Sequence, residues 1–278
     1  MDKSINEHMV PDRVRELFSR LSPEEWIEVS RKNSETKFAI VEKAAKLVKR
    51  FSYKLKKAAE ENTSRVEYCK NREMQERGCY EPDPLYDIIV SNYRRGRPVK
   101  KKPDKAPYYA YHFDENGDLI LIEGIGLICG HQNTIELLFR FGNYRVGFLY
   151  VENSDAAEPY IDVTVEAKSC EGSNYIISRY SVVRSKKTGS YCVNKFSESV
   201  LIAMENGLPV KRIELAELWD WDPDILKILE LSDTDYNVRS REITVYYDEN
   251  GLPFKCSNGK GDFFRPGKIK SPNLSGMF

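Results

Sequence analysis

Tyr111-His112-Phe113-Asp114-Glu115-Asn116-Gly117 decides the reading of this chain, and Val245-Tyr246-Tyr247-Asp248-Glu249-Asn250-Gly251 echoes it near the far end. Asn-Gly supplies the two positive-φ positions of a tight hairpin, and aromatic residues before it favour strand. The two copies are therefore expected at hairpin tips. A third Glu-Asn-Gly stands at 205–207. It follows Ser-Glu-Ser-Val-Leu-Ile-Ala-Met, which also fits a short helix capped by Ser197 and ended by a left-handed Gly207. The helix is the favoured expectation there.

Between these copies hydrophobicity alternates with a period of two. Residues 108–113, 119–122, 135–141, 144–151, 160–167, 175–183 and 190–194 read as strands, with 125–129 extending the second. Gly142-Asn143 and Lys187-Thr188-Gly189 read as turns, so the strands should form an antiparallel meander. Residues 210–215 read as strand or loop, and Asp222-Pro223 as the start of a helix reaching about Leu231. Residues 242–247 and 254–256 make the last hairpin. Pro253 cannot donate to a ladder, which places the return strand on an edge.

Before residue 94 the period is helical. Residues 11–21 form a short amphipathic helix with Val14, Leu17, Phe18 and Leu21 on one side. Ser22-Pro23-Glu24-Glu25 is a helix start: a capping Ser, Pro at the first helical position and acids in the first turn. From about Glu35 to Glu61, Phe38, Val41, Ala45, Val48, Phe51, Leu55 and Ala58 recur at helical spacing. Lys43, Lys46, Arg50, Lys54 and Lys57 mark the opposite face. Continuation through Arg65–Arg77, with a stop at Gly78, is the expectation, and Asp83-Pro84 opens a further helix burying Leu85, Ile88 and Ile89.

The fold class is therefore α+β: an N-terminal helical region, then a mostly antiparallel sheet with one or two inserted helices. The expected organisation is a helical region at 1–93, a basic linker at 94–106, a β-rich domain at 107–258 and a loosely ordered tail at 259–278. Net charge is zero, yet residues 1–105 carry 25 Lys and Arg against 18 Asp and Glu. That leaves 18 against 25 for the remainder, from 43 of each, so the two parts differ in the partners they would attract. No apolar run is long enough to span a membrane, and the first residues lack the apolar stretch of a secretion signal. The six cysteines show no C-x-x-C spacing, so no zinc site is expected, and reduced thiols in the cytoplasm are the simplest reading.

Histidine is scarce, at 8, 112 and 131, and none sits in a nucleophilic pattern. Three other patterns carry chemistry. Asp155 with Glu166-Ala167-Lys168 resembles the Asp…Glu-x-Lys signature of restriction-endonuclease-like nucleases. The resemblance implies a divalent metal such as Mg²⁺ held by the carboxylates and a water positioned by the lysine. The competing reading is a strand face, with Asp162, Thr164, Glu166 and Lys168 out and Ile161, Val163, Val165 and Ala167 in. Arg95-Gly96-Arg97-Pro98, flanked by Arg94 and Lys100–Lys102, resembles an AT-hook, which implies contact with the minor groove of A·T-rich DNA. The competing reading is a solvated linker. Trp219-Asp220-Trp221-Asp222 sets two tryptophans among acids, a composition suited to a basic protein partner. One core tryptophan with helix-capping acids explains it equally.

The Tyr-rich strands ending in Asp-Glu-Asn-Gly, at 108–122 and 243–256, resemble those of bacterial immunity proteins that neutralise polymorphic toxins. They are also similar to the Tyr-Asp repeats of large secreted toxin shells. The resemblance implies a cytoplasmic binding protein, without cofactor, whose acidic surface covers a basic effector. Stoichiometric protein binding, in immunity or defence, is the function expected from these features. The alternative is nucleic-acid binding through the basic helix and linker, with Asp155, Glu166 and Lys168 as its catalytic version.

Overall fold

A computed structural model of the chain describes residues 10–31, 36–70, 77–86, 97–128, 132–152, 160–185, 188–218, 239–258 and 261–262. Among the described residues, twelve strands form a single antiparallel sheet in the order β12-β11-β10-β9-β8-β7-β6-β5-β4-β3-β1-β2. The strands are β1 Arg65–Lys70, β2 Arg97–Val99, β3 Tyr108–Phe113, β4 Leu119–Ile128, β5 Gln132–Phe141, β6 Tyr144–Val151, β7 Tyr160–Lys168, β8 Asn174–Arg184, β9 Tyr191–Glu205, β10 Leu208–Leu218, β11 Arg239–Tyr247 and β12 Pro253–Ser257. Three helices precede them: α1 Val10–Phe18, α2 Pro23–Arg31 and α3 Thr36–Glu61. The architecture is thus the expected α+β arrangement of a helical N-terminal region and an antiparallel sheet.

The start of α2 is a reciprocal cap. The Glu25 N–H donates to Ser22 Oγ (3.1 Å), and the Ser22 N–H donates to Glu25 Oε2 (2.7 Å). The apolar stripe of α3 is buried at Phe38, Val41, Ala44, Ala45, Val48 and Leu55, while Lys43, Lys46, Arg50, Lys54 and Lys57 are exposed. That stripe lies on the sheet face made by alternate residues of the central strands: Ile135 and Leu137, Val146 and Phe148, Ile161, Val163 and Val165, Ile176 and Val182. Phe18, Trp26, Phe38, Tyr144 and Tyr180 close the layer with ring centroids 5.5–6.4 Å apart. Full burial of each such side chain contributes about 1.5–3 kcal/mol, which makes this the main apolar core.

Three sequence expectations are corrected. Residues 65–70 do not continue α3. They form β1, whose Val66 and Tyr68 suit a strand, and which fills the ladder position between β3 and β2. The helix ends where the Thr63 hydroxyl bonds back to the Ala59 carbonyl (2.8 Å) and the Ser64 N–H pairs with Phe113 O (2.8 Å). Residues 197–204 are not helical but belong to β9, because strands β8 and β10 pair with both of its edges. The middle Glu-Asn-Gly is accordingly a hairpin tip, with Asn206 at φ 51° and Gly207 at φ 78°. It is the copy that uses both positive-φ positions. In the outer copies only the glycine does: Asp114 and Asp248 each accept two N–H groups of their own turn, and the glycine closes the four-residue Asp-Glu-Asn-Gly turn.

Strands β1 and β2 lie on either side of residues 71–96 in sequence, and β1 pairs with both β2 and β3. The boundary expected at 94–106 therefore runs through one continuous sheet. Asp83 opens a turn that reaches helical Tyr86, with the Leu85 N–H donating to Asp83 Oδ1 (3.0 Å) and Leu85 buried. Ile88, Ile89, the helix expected from Asp222 and most of the tail from 259 lie outside the described residues.

Candidate functional site

The second face of the sheet is also buried, by ion pairs set among smaller apolar clusters. Residues 77–86 cross it as a strap. Arg77 enters between Glu136 of β5 and Glu166 of β7. Its Nε lies 2.9 Å from both Glu136 oxygens and its Nη2 2.6 Å from Oε1, while Nη1 donates to Glu166 Oε1. Glu166 Oε2 accepts from the Tyr175 hydroxyl (2.9 Å) and from Arg145 Nη2 (2.8 Å). Gly147 makes the space. A Cβ there would collide with the Glu136 carboxylate and the Arg77 guanidinium. Further along the strap, Glu81 pairs with Arg179, and Asp83 accepts from Arg212 Nε (2.8 Å), which also pairs with Glu214.

Burial alone would raise the Glu166 pKa, but Arg145 and Arg77 outweigh it and hold the carboxyl below its ordinary value. The same burial opposes the Arg77 charge, and Glu136 and Glu166 overcome it, so the guanidinium stays charged. Glu166 is 0% exposed. The alternation in β7 is therefore as expected, yet its polar side faces protein rather than solvent. Both oxygens of Glu166 are committed to cations and a phenol. Lys168 shares that face, and Asp155 lies outside the described residues. Among the described residues no group of three His, Cys, Asp or Glu is arranged to hold a metal ion.

A second polar chain runs beside the end of α3. Lys56 Nζ lies 2.7 Å from Glu152 and 3.2 Å from Glu123, and Glu123 Oε2 lies 2.9 Å from His112 Nε2. The other ring nitrogen, Nδ1, is 3.3 Å from Thr63 Oγ1. The hydroxyl, imidazole and carboxylate stand in the order used for nucleophilic catalysis. The Thr63 proton, however, is donated to Ala59 O, so the imidazole is not placed to remove it. The hydrogen bond from His112, against the opposing effect of burial, holds Glu123 below the usual carboxylate range, with Lys56 adding to it. Burial works against the Lys56 charge, but Glu152 and Glu123 raise its pKa, so this lysine is a cation rather than a nucleophile.

Thr63 also stands on the rim of a cleft of about 470 Å³ between α3, the β3–β4 turn and β5. Leu55, Ala58 and Ala59 of α3 line it together with Ile120, Leu137 and Phe139 of the sheet. Glu61, Asn62, Ser64, Asp114, Glu115 and Asn116 complete the rim. Glu61 is paired with Lys57 (3.6 Å), so Asp114, Glu115 and the C-terminal end of a 26-residue helix supply the negative charge around the apolar lining. A helix C-terminus carries partial negative charge, so the field in the cleft favours a cation with an apolar stem. No sequence pattern pointed to this site, because its parts lie about fifty positions apart. The one available signal was the Asp-Glu-Asn-Gly tip, read only as a turn.

Of the residues singled out from sequence, Arg97 and Pro98 are exposed on edge strand β2, paired with Lys70 and Cys69. Lys100, Lys101 and Lys102 beside them are exposed. Arg94, Arg95, Gly96, Trp219, Asp220, Trp221 and Asp222 lie outside the described residues, as do His8 and His131. No helix among the described residues is long and apolar enough to cross a membrane. The fold and the cleft define a helix-backed antiparallel sheet with an acid-rimmed recess. Compared with known protein families, curated proteins and solved structures, the chain matches none of them.

Proposed function

We propose that this protein acts by stoichiometric binding of a basic protein partner in the cytoplasm, and that the cleft receives a lysine or arginine side chain of that partner. The observation that carries the reading is the acidic rim over an apolar lining. Such a recess takes the methylenes of a long basic side chain and meets its charge at the mouth. The titratable groups deeper in the molecule support it, since they are spent on one another in ion pairs. An immunity or defence role, in which the partner is a basic toxin, fits the resemblance of the Tyr-rich hairpins. The acidic tryptophan pair at 219–222 has a composition suited to the same kind of partner.

The test is anisotropy of a labelled peptide alternating arginine and leucine, at physiological salt. Glu61→Lys with Glu115→Lys should weaken binding about tenfold or more, chiefly through slower association. Equal affinity for both forms would sink the reading.

A second reading rests on the exposed basic edge. Arg97, Lys100, Lys101 and Lys102 project beside β2, and α3 exposes Lys43, Lys46, Arg50, Lys54 and Lys57. These would hold nucleic acid by phosphate contacts. In that case binding of duplex DNA should fall steeply with salt and lose slope when Arg97 and Lys101 become alanine. Mg²⁺-dependent cleavage lost in Glu166→Gln, with the fold retained, would extend it to the nuclease.

A further inference from the structure

Cys69 of β1 and Cys79 of the strap place their sulfurs 3.3 Å apart. Cys69 is fully buried, whereas Cys79 is partly exposed. The contact sits at the point where the strap leaves the sheet edge. The Tyr111 hydroxyl accepts from the Cys79 N–H (3.0 Å) and donates to Arg77 O (3.0 Å), so the thiol is braced against the residue that feeds the ion network. The ring of Tyr80, next in the chain, packs on Tyr111 with centroids 4.6 Å apart.

We propose that Cys69 and Cys79 are a redox site, closing to a disulfide with hydrogen peroxide and reopening with a small thiol, and that the bond clasps the strap to β1. Two reduced sulfurs already in contact need a shift of about one ångström or slightly more to reach bonding distance. The thiolate of accessible Cys79 attacks the peroxide O–O bond, giving a sulfenic acid and hydroxide. Cys69 sulfur then displaces hydroxide from that sulfur. The two thiol protons leave with the two hydroxides as water, so the sulfur pair loses two electrons and the peroxide gains them.

The surroundings favour the chemistry at this pair. The Cys79 hydrogen bond, against burial, holds the Cys69 thiol below its ordinary range. Burial instead pushes the Cys256 thiol up to about 11. Cys69 is therefore the readier thiolate of the pair, which suits the sulfur that closes the bond by displacing hydroxide. The bond would also matter mechanically. The strap carries Arg77, Glu81 and Asp83 into the second face, and those ion pairs attach it to the sheet together with buried Leu85 and the packing of Cys79 and Tyr80. A covalent link two residues from Arg77 adds an attachment that neither salt nor pH can loosen.

The experiment begins with the full chain reduced by dithiothreitol and freed of it, then treated with hydrogen peroxide. The six reactive thiols should fall to four, with a mass loss of about 2 Da and a digest linking 69 to 79. Amide exchange across residues 77–86 should slow about tenfold and recover on adding dithiothreitol. Cys79→Ser should abolish both changes, and Cys170→Ser, at an exposed cysteine, should abolish neither. A gain of about 32 Da on a single cysteine, or a disulfide that persists in Cys79→Ser, would overturn the proposal. Should that variant not fold, the wild-type digest decides alone: a pairing other than 69 with 79 overturns it.

Discussion

The two faces of the sheet are built from the same strands and are both buried, one by apolar packing under the helices, the other by ion pairs set among smaller apolar clusters. In β7, Ile161, Val163 and Val165 pack under the helices, while Glu166, one residue on, is clamped by two arginines. The apolar face is non-directional, and any helix with the right stripe gains from covering it. The ionic face is more selective, because Arg77, Glu81 and Asp83 each meet a fixed partner. Burying charges costs several kcal/mol per ion, so such pairs add little net stability. What they contribute is a penalty for misplacement.

That contrast can be broken from either side. The largest effect expected is Arg77→Ala, which leaves Glu136 and Glu166 facing each other in a dry site. It should cost about 3–5 kcal/mol in urea unfolding, and Arg77→Ala with Glu166→Gln should recover part of it. Ile176→Ala, on the helix-covered face and fully buried, should cost about 2–4 kcal/mol with no dependence on salt. Gly147→Ala sits between the two chemistries. Its methyl group would press on both the Glu136 carboxylate and the Arg77 guanidinium, costing about 1–3 kcal/mol, and Arg77→Ala in the same chain should suppress part of that loss.

The smallest effect near neutrality is the pH dependence, which grows with acid. Glu166 and Glu123 have folded pKa values below their unfolded value of 4.5, so the folded state binds their protons more weakly. Their contribution is complete above that value and drains as pH falls through the lower folded values. Asp162, raised by burial, acts in the opposite sense and offsets part of the slope. The urea midpoint followed from about pH 6 to about pH 3 should fall, and fall less in Glu166→Gln. An identical slope in that variant would remove Glu166 from the account.

The same contrast explains what could be read in advance. Period-two alternation in 144–151 and 160–167 gave strands and their two faces, because each residue's side is fixed by the backbone. It could not say what lies over the polar side. Arg77 looked like the end of a polar helix, and its partners lie 59 and 89 residues away. Residues 197–204 satisfy both periods, and only the paired edges of β8 and β10 decide between them. Thr63, His112 and Glu123 are individually ordinary. They meet because β1 docks on β3 and brings the end of α3 with it.

Both borders of the sheet end in proline. Pro98 lies in three-residue β2, and Pro253 opens five-residue β12. Every inner strand is shielded by neighbours on both sides, so these short ends are where a strand from another molecule would add itself. A missing amide, a brief ladder and the charges of Arg97 and Lys255 make each a poor template. Among the described residues, both borders of the twelve-stranded sheet are thus poorly suited to adding a further strand, which disfavours fibril growth from them.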